Sequence, residues 1–236
     1  MVTESFASKV INRIPGQIKP WIRDIQDARA RQFLEKNNVL SVLKNGEASE
    51  IGIVYRDLAR LYKLLREKKP RVVFEMGVGF SSLVIAEALK ANHREIGIEG
   101  HCWTLDAEQF WLDNTKLKVS NEAASYVTFM RADSRCFVYN NVLCAKFETL
   151  PDICPDFIYV DGPNHSSVKG CEMGLSFKDR PVIHVDPLFF EYSARKNFTI
   201  LVDGRWRSIA FLVNNLQLAY RFTRSGLGKY GLFEKL

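Results

Sequence analysis

The chain has 236 residues, 47% hydrophobic and 25% charged, the balance of an ordinary soluble globular protein with a substantial core in one domain. Its 33 Lys and Arg against 27 Asp and Glu give a net charge of +6, dispersed along the sequence, which reads as a solvated surface rather than a nucleic-acid or membrane footprint. No apolar run approaches the roughly 20 residues that cross a bilayer, residues 1–16 lack the apolar core of a secretory signal, and five cysteines without a C-x-x-C pair argue against a disulfide framework and a structural zinc site. The expectation is a cytoplasmic protein with reduced, mostly buried thiols.

In chain order, residues 1–50 read as helical but broken by Pro15-Gly16 and Pro20. The segment 1–66 has the character of a lid, a dimer arm of a homo-oligomer or a surface foot, and residues 67–236 form the main domain. Val54, Leu58, Leu61, Tyr62 and Leu65 recur with helical period and end at Lys68-Lys69-Pro70. Arg71–Glu75 is a short β-branched and aromatic strand. It stops at Met76-Gly77-Val78-Gly79, after which Ser81-Ser82 offers an N-cap for a helix carrying Leu83, Val84, Ala86 and Leu89. Strand, glycine turn and helix open a nucleotide-type α/β domain, with the helix N-terminus presenting free N–H groups to a ligand.

Two runs compete for the second strand, Glu95–Glu99 and Cys102–Asp106, each closed by an acid suited to ribose hydroxyls. Asp106 is favoured over Glu99 because it leads directly into a helix with Ala107, Phe110, Trp111 and Leu117 on one side. A third strand is expected at Tyr126–Arg131, a helix or long loop at Cys136–Leu150, and a fourth strand at Asp156–Val160, followed by Asp161-Gly-Pro-Asn-His165 and a polar stretch to Arg180. The fifth strand, Phe198–Val202, ends at Asp203-Gly-Arg205. A helix with Ile209, Leu212, Val213 and Leu216 follows, then a closing hairpin from Tyr220–Thr223 and Tyr230–Phe233.

Glu75, Asp106, Asp133, Asp161 and Asp203 therefore close five strands, whose carboxyl ends line one crevice in a parallel sheet. The pattern suits a ligand rich in hydroxyl and ammonium groups. The chain has no G-x-x-x-x-G-K-[ST] loop for ATP, and Ser82 stands where a dinucleotide fold has its third glycine.

E-M-G-V-G-F-S after a strand resembles the first motif of class I S-adenosylmethionine-dependent methyltransferases. KPRVVFEMGVGFSSLVIAEAL, DFIYVDGPNH and TILVDGR together are similar to a bacterial group thought to methylate sugars or surface glycans. The resemblance covers roughly residues 50–236. It implies a Rossmann-like, doubly wound α/β sheet of seven strands, mostly parallel, with a C-terminal antiparallel hairpin. It places Gly77, Gly79 and Ser81 around the methionine portion of S-adenosylmethionine, Glu75 near its ammonium group, Asp106 on the ribose, and Asp133 and Ser134 at the adenine edge.

Asp161 and His165 follow the fourth strand over the expected methyl group, so one of them is the expected base for a hydroxyl acceptor. Asp161 with Asp203 also resembles the magnesium site of metal-dependent O-methyltransferases, although Gly204 replaces a further ligand, and Mg²⁺ is an alternative activator. Arg205 and Arg207 read as solvated helix-start residues, the alternative being that they bind an anionic acceptor such as an acidic sugar or a phosphate. The leading expectation is O-methylation of a sugar, glycan or other small hydroxyl acceptor. The alternatives are an RNA methyltransferase, disfavoured because D-G-P-N stands where base methylation uses an N/D-P-P-Y/F motif, and a non-catalytic cofactor-binding scaffold.

Overall fold

The structure is a computed structural model, which describes residues 2–4, 19–44, 53–171, 177, 181–225 and 229–236. The N-terminal part holds strand β1 (Val2–Glu4) and helices α1 (Lys19–Lys36), α2 (Leu40–Lys44) and α3 (Tyr55–Lys68). The strand departs from the helical reading of this segment. Pro20 does not interrupt α1 because it lies in the first turn, where a helix has no N–H bond to lose. α3 buries Leu58, Leu61, Tyr62 and Leu65, as their spacing requires, and Lys69 in the left-handed region closes it by donating its N–H to the Leu65 carbonyl at 3.0 Å.

β2 (Val72–Met76), α4 (Phe80–Ile96), β3 (His101–Asp106) and α5 (Gln109–Lys116) follow in order. The N-cap of α4 is Gly79, two residues before the expected serines. Ser82 lies in the first turn and its Oγ accepts the Gly79 N–H at 3.2 Å. α4 is buried on nearly every side because α3 covers it while the sheet lies beneath, hence its run of Leu83, Val84, Ile85 and Ala86. α5 turns a different face inward from the one expected. Leu112 and Thr115 are buried, whereas Phe110 is 68% exposed.

The remaining strands are β4 (Val127–Arg131), β5 (Ser134–Tyr139), β6 (Val142–Phe147), β7 (Phe157–Val160), β8 (Val168–Lys169) and β9 (Thr199–Asp203). Helix α6 (Trp206–Asn215) precedes β10 (Tyr220–Arg224) and β11 (Tyr230–Lys235). Seven strands form the expected sheet in the order β10-β11-β9-β7-β2-β3-β4, with β11 antiparallel to its neighbours. β1 adds an eighth strand at the edge, parallel to β10. Alternate strand residues feed two cores: Val73, Tyr159 and Leu201 pack with α1 to α4, while Phe74, Ile158 and Ile200 pack with α6.

The expectation of a helix or loop over 136–150 is wrong. β5 and β6 form a hairpin that pairs with β8 in a second, three-stranded sheet. Tyr139 pairs with Val142, so Asn140-Asn141 is a two-residue turn, and both asparagines have positive φ (48° and 61°), as a type I′ turn demands. The reduced-thiol reading also fails for two cysteines. Cys136 on β5 and Cys171 form a disulfide with Cα atoms 5.0 Å apart. Cys102 and Cys144 are buried and free, and Cys154 is exposed and free.

Candidate active site

Strand order reverses between β3-β2 and β2-β7, so the chain leaves the centre of the sheet in opposite directions and opens a crevice at the carboxyl ends. The ends are tied to one another. The Gly77 N–H donates to the Leu105 carbonyl, and the N–H groups of Asp161 and Gly162 both donate to the Met76 carbonyl, at 2.9, 2.9 and 2.7 Å. A cleft of about 670 Å³ lies above them, floored by Gly77–Ser81, Asp106 and the Asp161–Ser167 loop and roofed by α1 and the start of α3.

Gly77 has φ +91°, and a Cβ there would stand 2.4 Å from the Gly162 nitrogen. The constraint comes from the chain's own loop crossing at this point as well as from any ligand. Gly79 differs: a Cβ would meet nothing within 4 Å, so open space lies over the turn. Ser81 lines this floor. Asp106 closes β3, accepting the Val78 N–H on Oδ2 and the Glu108 N–H on Oδ1, at 3.0 and 2.9 Å. The Ala107 N–H also faces the carboxylate, and burial raises the pKa despite these bonds. Glu99 precedes β3 and lies at the opposite end of that strand, beside His93 and His101.

Glu75 lies beneath the turn, fully buried. Its Oε2 accepts from Ser82 Oγ at 2.6 Å and Thr104 Oγ1 at 2.5 Å, its Oε1 has no partner, and burial pushes its pKa up to about 7. The structure does not bring Asp133 and Ser134 into the cleft. The Asp133 carboxylate is bound by Lys169 and Arg131, which lower its pKa, and Ser134 is buried in β5. The ring-bearing wall comes instead from Phe110 and Trp111, whose rings meet edge to face at 5.2 Å.

The other wall carries the remaining acids. Asp161 lines the cleft with its side chain 51% exposed, and the protein around it pushes its pKa up to about 6, with Arg205 opposing and Asp57 assisting. Burial, then Asp57, raises Asp203 to about 7, and its Oδ2 accepts from the Tyr159 hydroxyl at 3.2 Å. Asp57, in the first turn of α3, pairs with Arg60 at 2.8 Å. His165 begins the short 3-10 turn His165–Ser167, exposed and outside the cleft wall. Arg205 departs from the solvated reading: its guanidinium donates to the carbonyls of Asp161 and Pro163 and lies 3.8 Å from Asp161 Oδ1, which fixes the loop. Arg207 stacks on Trp206 at 5.1 Å.

Asp161 and Asp203 do not fit a magnesium cradle. Arg205 faces the first, and Arg60 Nη1 stands 3.8 Å from the second. Gly204 brings no third donor, and among the described residues no three His, Cys, Asp or Glu side chains converge to hold a metal ion.

The chain's fold matches that of solved structures. The fold is the methyltransferase fold. The chain is similar to a methyltransferase from Podospora anserina, PaMTH1, solved with S-adenosylhomocysteine bound, at 11% identity and a TM-score of 0.54 over 84% of this chain and 87% of that one. A Klebsiella pneumoniae protein assigned as an O-methyltransferase shares 14% identity, with a TM-score of 0.53 over 91% and 99%. Cofactor-bound Rv0187 from MTB shares 15%, with a TM-score of 0.51 over 84% and 88%. No family model and no curated protein matches the sequence.

Sequence reasoning reached Gly77, Gly79, Ser81, Asp106, Asp161 and Asp203, all of which line the cleft. It missed Asp57 and Arg23, which reach the site from helices outside the nucleotide unit. It also took Phe110 and Trp111 for core, because their spacing marks a helix face without saying which way that face turns.

Proposed function

We propose that the protein is an S-adenosylmethionine-dependent O-methyltransferase acting on a sugar, a glycan or another small hydroxyl compound. The observation that carries this is the pairing, across one cleft at the strand ends, of the Gly77–Asp106 floor with the Asp161 carboxylate. The free space over Gly79 and the Asp106 carboxylate lining the floor fit a ligand bearing ribose hydroxyls, whereas Glu75 lies buried beneath the turn and outside the cleft lining.

S-adenosylmethionine, when bound, supplies a methyl group already activated on a sulfonium. Asp106 would accept hydrogen bonds from the ribose hydroxyls, the first turn of α4 would offer its free N–H groups, and Phe110 with Trp111 would provide an aromatic wall for the adenine ring. Asp161 takes the proton from the acceptor hydroxyl as the oxygen attacks in line, and Arg205 holds the loop that positions it. A labelled-methyl assay against purified glycans, small hydroxyl compounds and RNA tests the reading. Transfer that disappears in Asp161→Asn supports it, and transfer to RNA alone overturns it.

A further inference from the structure

The roof of the cleft carries a guanidinium, that of Arg23, with no ion-pair partner among the described residues. Both carboxylate oxygens of Asp27 are taken by Arg56, Oδ1 by the backbone N–H at 3.0 Å and Oδ2 by the guanidinium, which fixes α1 over the start of α3. Arg23 lies one helical turn before Asp27 on the same side of α1, so this anchor delivers it to the cleft wall beside Arg56 and Asp57. The Arg23 Nε is shut off from solvent and has no hydrogen-bond acceptor, and no carboxylate pairs with the side chain among the described residues. The other two cleft arginines are paired, Arg56 with Asp27 and Arg205 with Asp161. Lys229, whose carbonyl accepts the Gly204 N–H, lines the same cleft and has no acid partner among the described residues.

The position of Arg23 assigns it to one end of the cleft. Asp57 follows Arg56 directly and pairs with Arg60 at 2.8 Å, and Arg60 Nη1 stands 3.8 Å from Asp203 Oδ1, so the start of α3 stands beside the carboxylate wall rather than the Gly77–Asp106 floor. Arg23 is half-buried, its Nε is withdrawn from water with no counter-charge beside it, and the planar fork of a guanidinium matches a carboxylate or a phosphate. We propose that the acceptor carries an anionic group, a carboxylate or a phosphate, which Arg23 receives while Asp161 faces the hydroxyl to be methylated. This rests on the methyl-transfer reading. It makes an uncharged sugar a poorer acceptor than its acidic counterpart.

S-adenosylmethionine has a carboxylate of its own, so the test separates the two sources. Inorganic phosphate is titrated calorimetrically into protein saturated with S-adenosylhomocysteine, for the wild type, Arg23→Gln and Arg23→Lys, and the affinity of each for S-adenosylhomocysteine is measured separately. Unchanged thermal midpoints establish that the variants are folded. The expected result is phosphate binding weakened by about tenfold in Arg23→Gln and largely kept in Arg23→Lys, with S-adenosylhomocysteine affinity changed by less than about twofold. Equal phosphate binding in wild type and Arg23→Gln, or none in the wild type, overturns the proposal. A loss of about tenfold in S-adenosylhomocysteine affinity in Arg23→Gln also overturns it, by assigning the guanidinium to the donor's carboxylate. If S-adenosylhomocysteine fails to bind the wild type, the methyl-transfer reading fails instead. Phosphate titration of the ligand-free proteins then decides the anion site alone.

Discussion

At the scale of single residues, the chemistry turns on a carboxylate held between two influences. Partial desolvation at the cleft mouth pushes Asp161 up to about 6 while Arg205 pulls it down, so the group is mostly ionised at neutral pH yet basic enough to take a proton. Asp161→Asn is expected to lower kcat by about 10²–10⁴-fold, the usual contribution of a positioned base, with S-adenosylhomocysteine affinity unchanged in calorimetry. Because only the ionised form accepts a proton, kcat/KM should rise with pH through about 6 in the wild type and lose that limb in the variant. A pH profile shared by both proteins would remove Asp161 from the mechanism. Gly77 is the corresponding structural position. Gly77→Ala adds a Cβ 2.4 Å from the Gly162 nitrogen at φ +91°, which should cost about 1–3 kcal/mol or more, read as a lower midpoint in urea unfolding. A midpoint unchanged from wild type would mean that the two loops do not meet as described.

At the scale of elements, the strand, glycine turn and helix of 71–89 was legible because each boundary has a local cause. β-branched residues end at Met76, glycines follow, and apolar residues resume at helical spacing. The β5–β6 hairpin was not legible from apolar spacing, since its strands show no clean alternation: Cys144 and Ala145 are both buried and adjacent. The usable signal was Asn140-Asn141 between two runs of strand-forming residues, a pair that tolerates the left-handed region without the glycine a type I′ turn prefers. Asn141→Gly should therefore stabilise the protein by a few tenths to about 1 kcal/mol in urea unfolding, since it removes strain at φ 61° without disturbing the register. Destabilisation would contradict the turn type. Asp133 shows the opposite failure. Its place after a strand marks it as a ligand, but Lys169, 36 residues later, claims the carboxylate, and only the fold brings that partner near.

At the scale of the whole molecule, the sheet gathers acids at one end, and burial leaves several of them reluctant to ionise. Glu75, Asp186 and Asp203 are each pushed up to about 7, from ordinary values near 4. An acid whose folded-state pKa is raised contributes stability that is fully present below the unfolded value and lost as pH rises through the folded one. The window here runs from about pH 4 to about 7. Asp186 is the clean probe, because it is fully buried behind β6, away from the cleft, with Oδ1 accepting the Phe147 N–H at 2.9 Å. Asp186→Asn keeps that acceptor and cannot ionise, so its stability relative to wild type should rise across this window in urea titrations. A constant difference from pH 4 to 7 would contradict the burial argument.

The central claim concerns the cleft as one unit, floor and walls together. The most direct measurement is isothermal calorimetry of the protein with S-adenosylhomocysteine, run beside Asp106→Ala. Saturable one-to-one binding is expected, weakened by about tenfold or more when the carboxylate that would accept the ribose hydroxyls is removed. No heat of binding in the wild type, or equal affinity in the two proteins, would contradict the assignment of this cleft to the methyl donor.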